Sequence, residues 1–147
     1  MAKVLIIYGS TTGNTDTVSE IIAQNLSAKG AEVDRRNVTD AAPEDMKDAD
    51  LVLLGCSTWG EDEIELQDDF IPFYESMDKA PIKNKRIGVF GCGDSTYTYF
   101  CGAVDAIEEK VRELSGHLVV DGLKIDGDPT DAKGDIQHWS DSVASFL

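Results

Sequence analysis

The sequence is short of positive charge, of cysteine and of long apolar runs, and each shortage closes off a class of function. Thirteen lysines and arginines stand against 28 aspartates and glutamates, a formal net charge of −15 over 147 residues. Such a surface repels a nucleic-acid backbone and an anionic membrane, and suits a basic protein partner. The three cysteines, Cys56, Cys92 and Cys101, are odd in number and form no C-x-x-C pair. That argues against a disulfide framework and against a zinc or iron–sulfur site. Cys56 and Cys92 each end an apolar run and read as buried, inert thiols. His117 and His138 lack the spacing of metal ligands and read as surface residues, so no metal is expected. No stretch reaches the ~18 apolar residues of a membrane span. The opening KVLIIYGS is too short an apolar run for a secretory signal, so the protein is expected to begin near Met1 and to stay in the cytoplasm.

What is present is the alternation of an α/β protein. Near-continuous apolar runs at Lys3–Tyr8, Asp50–Gly55 and Arg86–Cys92 suit strands buried on both faces of a parallel sheet. Glu32–Asn37 alternates with charge and reads as an edge strand. A further strand lies around HLVVDGLKI, residues 117–125, interrupted at Asp121–Gly122 by a bulge or turn. Between these runs lie helical stripes: Val18, Ile21, Ile22 and Leu26, stopped by Gly30; Phe70, Phe73, Tyr74 and Met77, delayed or distorted by Pro72; Val104, Ile107, Val111 and Leu114; and Ile136, Trp139, Val143 and Phe146, with Thr130 or Asp131 as cap. Residues 39–48 read as a loop or one short helix. No repeat or linker is visible, and residues 1–147 are expected to form one domain. In such sheets, ligands bind beyond the carboxyl ends of the strands, where the strand order reverses.

Three loops lie at that edge. The first, GSTTGNT at residues 9–15, has hydroxyls at Ser10, Thr11, Thr12 and Thr15, with Gly9 and Gly13 free to turn tightly or left-handed. Capping would explain one such hydroxyl; four hydroxyls and two glycines before a helix point to an anion at the helix N-terminus. Yet the loop has no lysine, so the G-x-x-x-x-G-K-[ST] pattern of nucleotide hydrolysis is absent, as is G-x-G-x-x-G. A single phosphate monoester, held by neutral donors as a handle, fits better. The second and third loops, CSTWGEDEIELQDDF from Cys56 and GDSTYTYFCGA from Gly93, each carry a large aromatic, Trp59 and Tyr97, among small polar residues. Two rings from separate loops can grip a flat ring by stacking. A phosphate at one end and a planar ring at the other describe a mononucleotide.

These motifs together, STTGNT, STWG and GDSTYTYFCGA, with LQDDF and VDAIEEK, resemble the flavodoxins, and are most similar to the short-chain members from sulfate-reducing bacteria. The resemblance covers essentially the whole chain. It implies a three-layer, doubly wound, five-stranded parallel sheet of order 2-1-3-4-5, for which flavodoxin is itself the standard example. It further implies non-covalent FMN and a low-potential one-electron carrier passing through quinone, semiquinone and hydroquinone states. The expected partners are basic or positively patched redox proteins such as reductases, cytochromes or hydrogenase-type enzymes, and the chain is expected to be a monomer. Carried onto this sequence, Ser10, Thr11, Thr12, Gly13, Asn14 and Thr15 would hold the phosphate. Ser57 and Thr58 would line the ribityl chain and ring, and Trp59 and Tyr97 would flank the isoalloxazine. Asp94, Tyr99 and Cys101 would give main-chain contacts to the pyrimidine edge, with Cys92, Gly93 and Phe100 completing that loop. No catalytic residue is implied.

Two levers would tune the flavin. The carbonyl of Gly60, turned by a peptide flip, could accept a hydrogen bond from N5 after the first reduction; a net bond of roughly 1 kcal/mol moves a one-electron potential by roughly 40 mV. Glu61, Asp62, Glu63, Glu65, Asp68 and Asp69 would each oppose an anionic reduced ring by about 1–2 kcal/mol at ~10 Å and an effective ε of ~20. An FMN-dependent quinone reductase of the same fold is the chief rival, though no nicotinamide-binding motif is seen. A receiver domain lacks its acids in YGSTT and GCSTW. A low-molecular-weight phosphatase needs C-x5-R, whereas Asp62 and Thr98 stand six places beyond Cys56 and Cys92.

Overall fold

A computed structural model describes residues 2–9, 13–59, 65–66, 68–93 and 101–147. Its frame is a parallel sheet in which β1 (Lys3–Gly9) lies between β2 (Glu32–Asn37) and β3 (Leu51–Cys56), and β4 (Arg86–Gly93) follows β3. The fifth position is shared by two short strands, β5 (His117–Leu118) against the start of β4 and β6 (Leu123–Asp126) against its end. The order is therefore 2-1-3-4-5, with the last position split where Asp121–Gly122 had suggested a break. A short antiparallel ribbon pairs Thr58–Trp59 with Glu65–Leu66.

Alternation along the strands divides the core into two layers. Leu5, Ile7, Val52, Leu54, Ile87 and Val89 face α2 (Ile71–Ser76) and α3 (Gly102–Glu113), meeting Phe73, Val104, Ile107 and Val111. Val4, Ile6, Leu51, Leu53 and Phe90 face α1 (Asn14–Ala28) and α4 (Lys133–Ala144), meeting Val18, Ile22, Leu26, Ile136, Trp139 and Val143. Two aromatic rings occupy space that glycines leave open. A Cβ on Gly55 would lie 2.3 Å from the Phe90 ring, and one on Gly88 would lie 3.3 Å from Trp139. The Trp139 indole N–H donates to the Asp121 carbonyl at 2.8 Å, which satisfies its polar end and ties α4 to the break in the fifth position.

Most helical stripes appear where their spacing placed them, with corrections at the ends. Gly30 stops the first, at φ +92, with its N–H donating to the Ser27 carbonyl. Pro72 occupies the first turn of α2, which is fragmented: a 3-10 turn at Asp68–Phe70 precedes it and another at Met77–Lys79 follows. Residues 39–48 contain parts of two 3-10 turns, Val38–Asp40 and Pro43–Asp48. Neither Thr130 nor Asp131 caps α4. Asp128 instead accepts the Thr130 N–H at 2.9 Å and caps a 3-10 turn, Pro129–Ala132, that leads into the helix.

Glu108 of α3 lies beside the break in the fifth position. It is 8% exposed, and a Cβ on Gly122 would stand 3.0 Å from its Oε1. Burial raises its pKa, with Asp105 adding to the rise and Arg112, the Gly122 N–H and Lys124 opposing it. The folded protein thus binds this proton more tightly than the unfolded chain, and stability falls as pH rises above the ordinary carboxylate range. Glu108→Gln, which keeps the acceptor, is expected to gain stability relative to the parent as pH rises from 4 to 7. Urea unfolding at each pH checks this, and a pH-independent difference would contradict it.

Candidate cofactor site at the carboxyl edge of the sheet

The register brings the strand ends to one edge: Gly9 lies opposite Cys56, Gly55 opposite Phe90, and Gly93 opposite Asp126. Chain order reverses between β1 and β3, since β2 lies on one side of β1 and β3 on the other. The crevice of a doubly wound sheet opens at that point.

The loop after β1 enters α1 through Gly13 at φ +93, a left-handed conformation that a side chain would strain. The Thr17 N–H and hydroxyl both donate to the Gly13 carbonyl at 2.9 Å, closing the first turn. The N–H groups of Asn14, Thr15 and Asp16 precede the first intrahelical bond, so the helix presents them at its end. Gly9, expected to turn with Gly13, is instead the last residue of β1, and Gly13 has the left-handed backbone.

Three of the expected site residues meet directly. The hydroxyls of Thr15 and Ser57 lie 2.6 Å apart, with Thr15 fully buried and Ser57 6% exposed. Thr15 also lies beside the Cys92 thiol. A residue following each of β1 and β3 thus joins one near the end of β4 in a single polar cluster. The Ser57 N–H donates to the Gly9 carbonyl at 3.4 Å, which fixes the second loop to the first.

Burial pushes the Cys92 thiol up to about 11, Thr15 partly offsetting it, and pushes Cys101 up to about 12, with Cys92 adding to the rise. All three cysteines are buried and none is in a disulfide, and at neutral pH the Cys92 and Cys101 thiols carry no nucleophilic thiolate. Cys101 begins α3 at φ +49, unusual for a residue with a Cβ, and its Sγ lies 3.8 Å from the carbonyls of Gly91 and Ile125. A Cβ on Gly93 would stand 3.0 Å from the Cys101 nitrogen, so the end of β4 and the start of α3 lie side by side.

Of the other expected site residues, Thr58 and Trp59 lie in the ribbon, with Trp59 opposite Glu65. Ser10, Thr11, Thr12, Gly60, Asp94, Tyr97, Tyr99 and Phe100 lie outside the described residues, as do Glu61, Asp62 and Glu63. Asp69 is exposed, as an acidic rim requires. His117 and His138 are exposed, and no group of metal-binding side chains occurs among the described residues.

The loop after β1 carries no cation, but the fold brings one beside the helix that follows it. Arg35 of β2 donates to the Asp16 carboxylate in the first turn of α1 and to Ser19 Oγ at 3.1 Å, and stacks 5.1 Å from the Tyr8 ring centroid. The alternation of β2 held the signal, since adjacent Arg35 and Arg36 must face opposite sides. Arg36 pairs with Asp34 and Asp45 instead.

Comparison with known proteins agrees with this geometry. The flavodoxin family model matches residues 6–139. The chain is 54% identical to a flavodoxin of Maridesulfovibrio salexigens and 51% identical to one of Nitratidesulfovibrio vulgaris, in each case over the full length of both chains. It also superimposes on oxidised flavodoxin 2 of Bacillus cereus with a TM-score of 0.92 at 30% identity, covering 99% of this chain and all of the other. By sequence and by fold, the chain belongs to the flavodoxin family, whose members carry electrons on bound FMN and are not enzymes.

Proposed function

We propose that this carrier seats the FMN phosphate at the start of α1, through Ser10, Thr11, Thr12, Gly13, Asn14 and Thr15, with Ser57 and Thr58 toward the ribityl chain. The contact of Thr15 with both Ser57 and Cys92 carries this reading, because it unites residues from three strand ends at the reversal of chain order. The donor set fits the group: neutral hydroxyls and helix N–H groups stabilise a phosphate that never reacts. Trp59, Gly60 and Tyr97 would contact the ring, and Asp94, Tyr99, Phe100 and Cys101, with Cys92 and Gly93, would hold its pyrimidine side. The left-handed backbone of Cys101 supports a main-chain contact there, since such strain gathers at binding sites.

FMN supplies the redox centre, taking and returning one electron at a time. The chain orients it, limits its contact with water and surrounds its exposed edge with carboxylates. Residues 1–147 act as one FMN-binding domain, a reading supported by two core layers packed on a single sheet. Its partners are redox proteins, and the charge of −15 favours basic ones. Three buried cysteines outside any disulfide fit a reducing compartment, and we place the protein in the cytoplasm. No helix among the described residues is long and apolar enough to cross a membrane.

The carrier reading predicts electron transfer to a cationic redox protein that slows about tenfold or more between low and high ionic strength. Stopped-flow measurement over a salt series checks this; rates flat with salt would remove the steering. Sustained steady-state turnover of NAD(P)H with a quinone would favour the reductase alternative.

A further inference from the structure

We propose that Arg35 keeps the phosphate cradle neutral by cancelling the charge of Asp16, and so governs affinity for the phosphate end of the ligand. The inference rests on the reading that the phosphate sits at the start of α1. Asp16 is the third residue of that helix and follows Thr15 directly. At a rise of ~1.5 Å per residue, it lies within about 5 Å of the helix start along the axis. A carboxylate there gains from the helix dipole in the empty protein. Once a phosphate occupies the same end, the two anions repel.

The structure holds Arg35 in place to counter that repulsion. Its NH1 donates both to Asp16 Oδ1 and to Ser19 Oγ at 3.1 Å, while Ser19 donates to the Asp16 carbonyl at 2.6 Å. Tyr8, near the end of β1, lies beneath the guanidinium at 5.1 Å. The fork is therefore oriented from three sides, a geometry that a lysine could match in charge but not in hydrogen bonding. Both partners are partly solvated, with Arg35 31% and Asp16 46% exposed, so the pair adds little to folding stability. Its effect falls on the bound anion instead.

The test is equilibrium titration of the apoprotein with FMN and with riboflavin, which lacks the phosphate. Arg35→Gln is expected to weaken FMN binding about tenfold at low salt and to leave riboflavin unchanged. Arg35→Lys keeps most of the affinity, and Arg35→Gln with Asp16→Asn together return it to within about twofold of the parent. Urea midpoints of the apoproteins stay close to one another. Equal losses for FMN and riboflavin, or no loss for either, would overturn the proposal. So would a double variant as weak as Arg35→Gln, since Arg35 would then act on the phosphate directly rather than through Asp16. If the parent binds riboflavin as tightly as FMN, the underlying phosphate reading fails instead.

Discussion

Gly91→Ala is expected to destabilise the protein by about 3 kcal/mol, enough to shift the urea midpoint by a molar unit or more. A Cβ at Gly91 would lie 2.3 Å from the Cys56 carbonyl oxygen and 2.9 Å from Val104 Cγ2. The first neighbour is backbone at the end of β3, which cannot rotate aside as a side chain can. Relief requires β3 and β4 to part at the edge where Cys56 leads into Ser57, so FMN affinity falls with stability. Gly55→Ala meets the Phe90 ring at 2.3 Å and is also destabilising, but a ring can tilt and the loss is smaller. Gly134→Ala, with nothing within 4 Å, serves as the control and stabilises α4 by about 0.5–1 kcal/mol. A Gly91→Ala protein unfolding within 0.5 kcal/mol of the parent, on the order of measurement error, would contradict the packing described here.

Thr15→Val is expected to weaken FMN binding about 30- to 100-fold, or about 2–3 kcal/mol. The change keeps shape and removes one hydroxyl that serves three roles. It bonds Ser57 at 2.6 Å, lies beside the Cys92 thiol and is proposed to face the phosphate. Ser57→Ala loses the same internal bond from its other end. The double variant is therefore expected to lose less than the sum of the single losses, because one bond would otherwise be counted twice. Riboflavin affinity moves far less, since the cluster lies at the phosphate end. Titration of the four proteins with both flavins checks the cycle; strictly additive losses would show that the two hydroxyls act independently.

Burial patterns were the legible part of the fold. Val18, Ile22 and Leu26 are fully buried, as are Leu51, Leu53 and Leu54, because apolar spacing records which face meets the core. Element ends were less legible, because distant partners decide them. Gly122 packs against Glu108, fourteen positions earlier, and Asp121 leaves the sheet where Trp139 donates to its carbonyl. The start of α4 moved for a related reason: Asp128 spends its carboxylate on Thr130, which turns the chain before the helix begins.

The site shows the same division. Thr15, Ser57 and Cys92 could each be named from the motif to which they belong. Their mutual contact depends on Gly9 being level with Cys56, which is a property of the sheet register. Arg35 was invisible as a site residue because nothing near it in the chain points to α1. It becomes readable only when β2 is laid beside β1, with Arg35 opposite Ile6 and diagonal to Tyr8.

Neutral donors at three strand ends are proposed to hold the phosphate of FMN. Titration of the purified apoprotein with FMN, followed by quenching of flavin fluorescence, tests this most directly. The expected result is saturation at one FMN per chain, with riboflavin binding weaker by roughly two orders of magnitude or more, as the loss of several charge-assisted hydrogen bonds requires. Failure to saturate with FMN, or equal affinity for the two flavins, would contradict it.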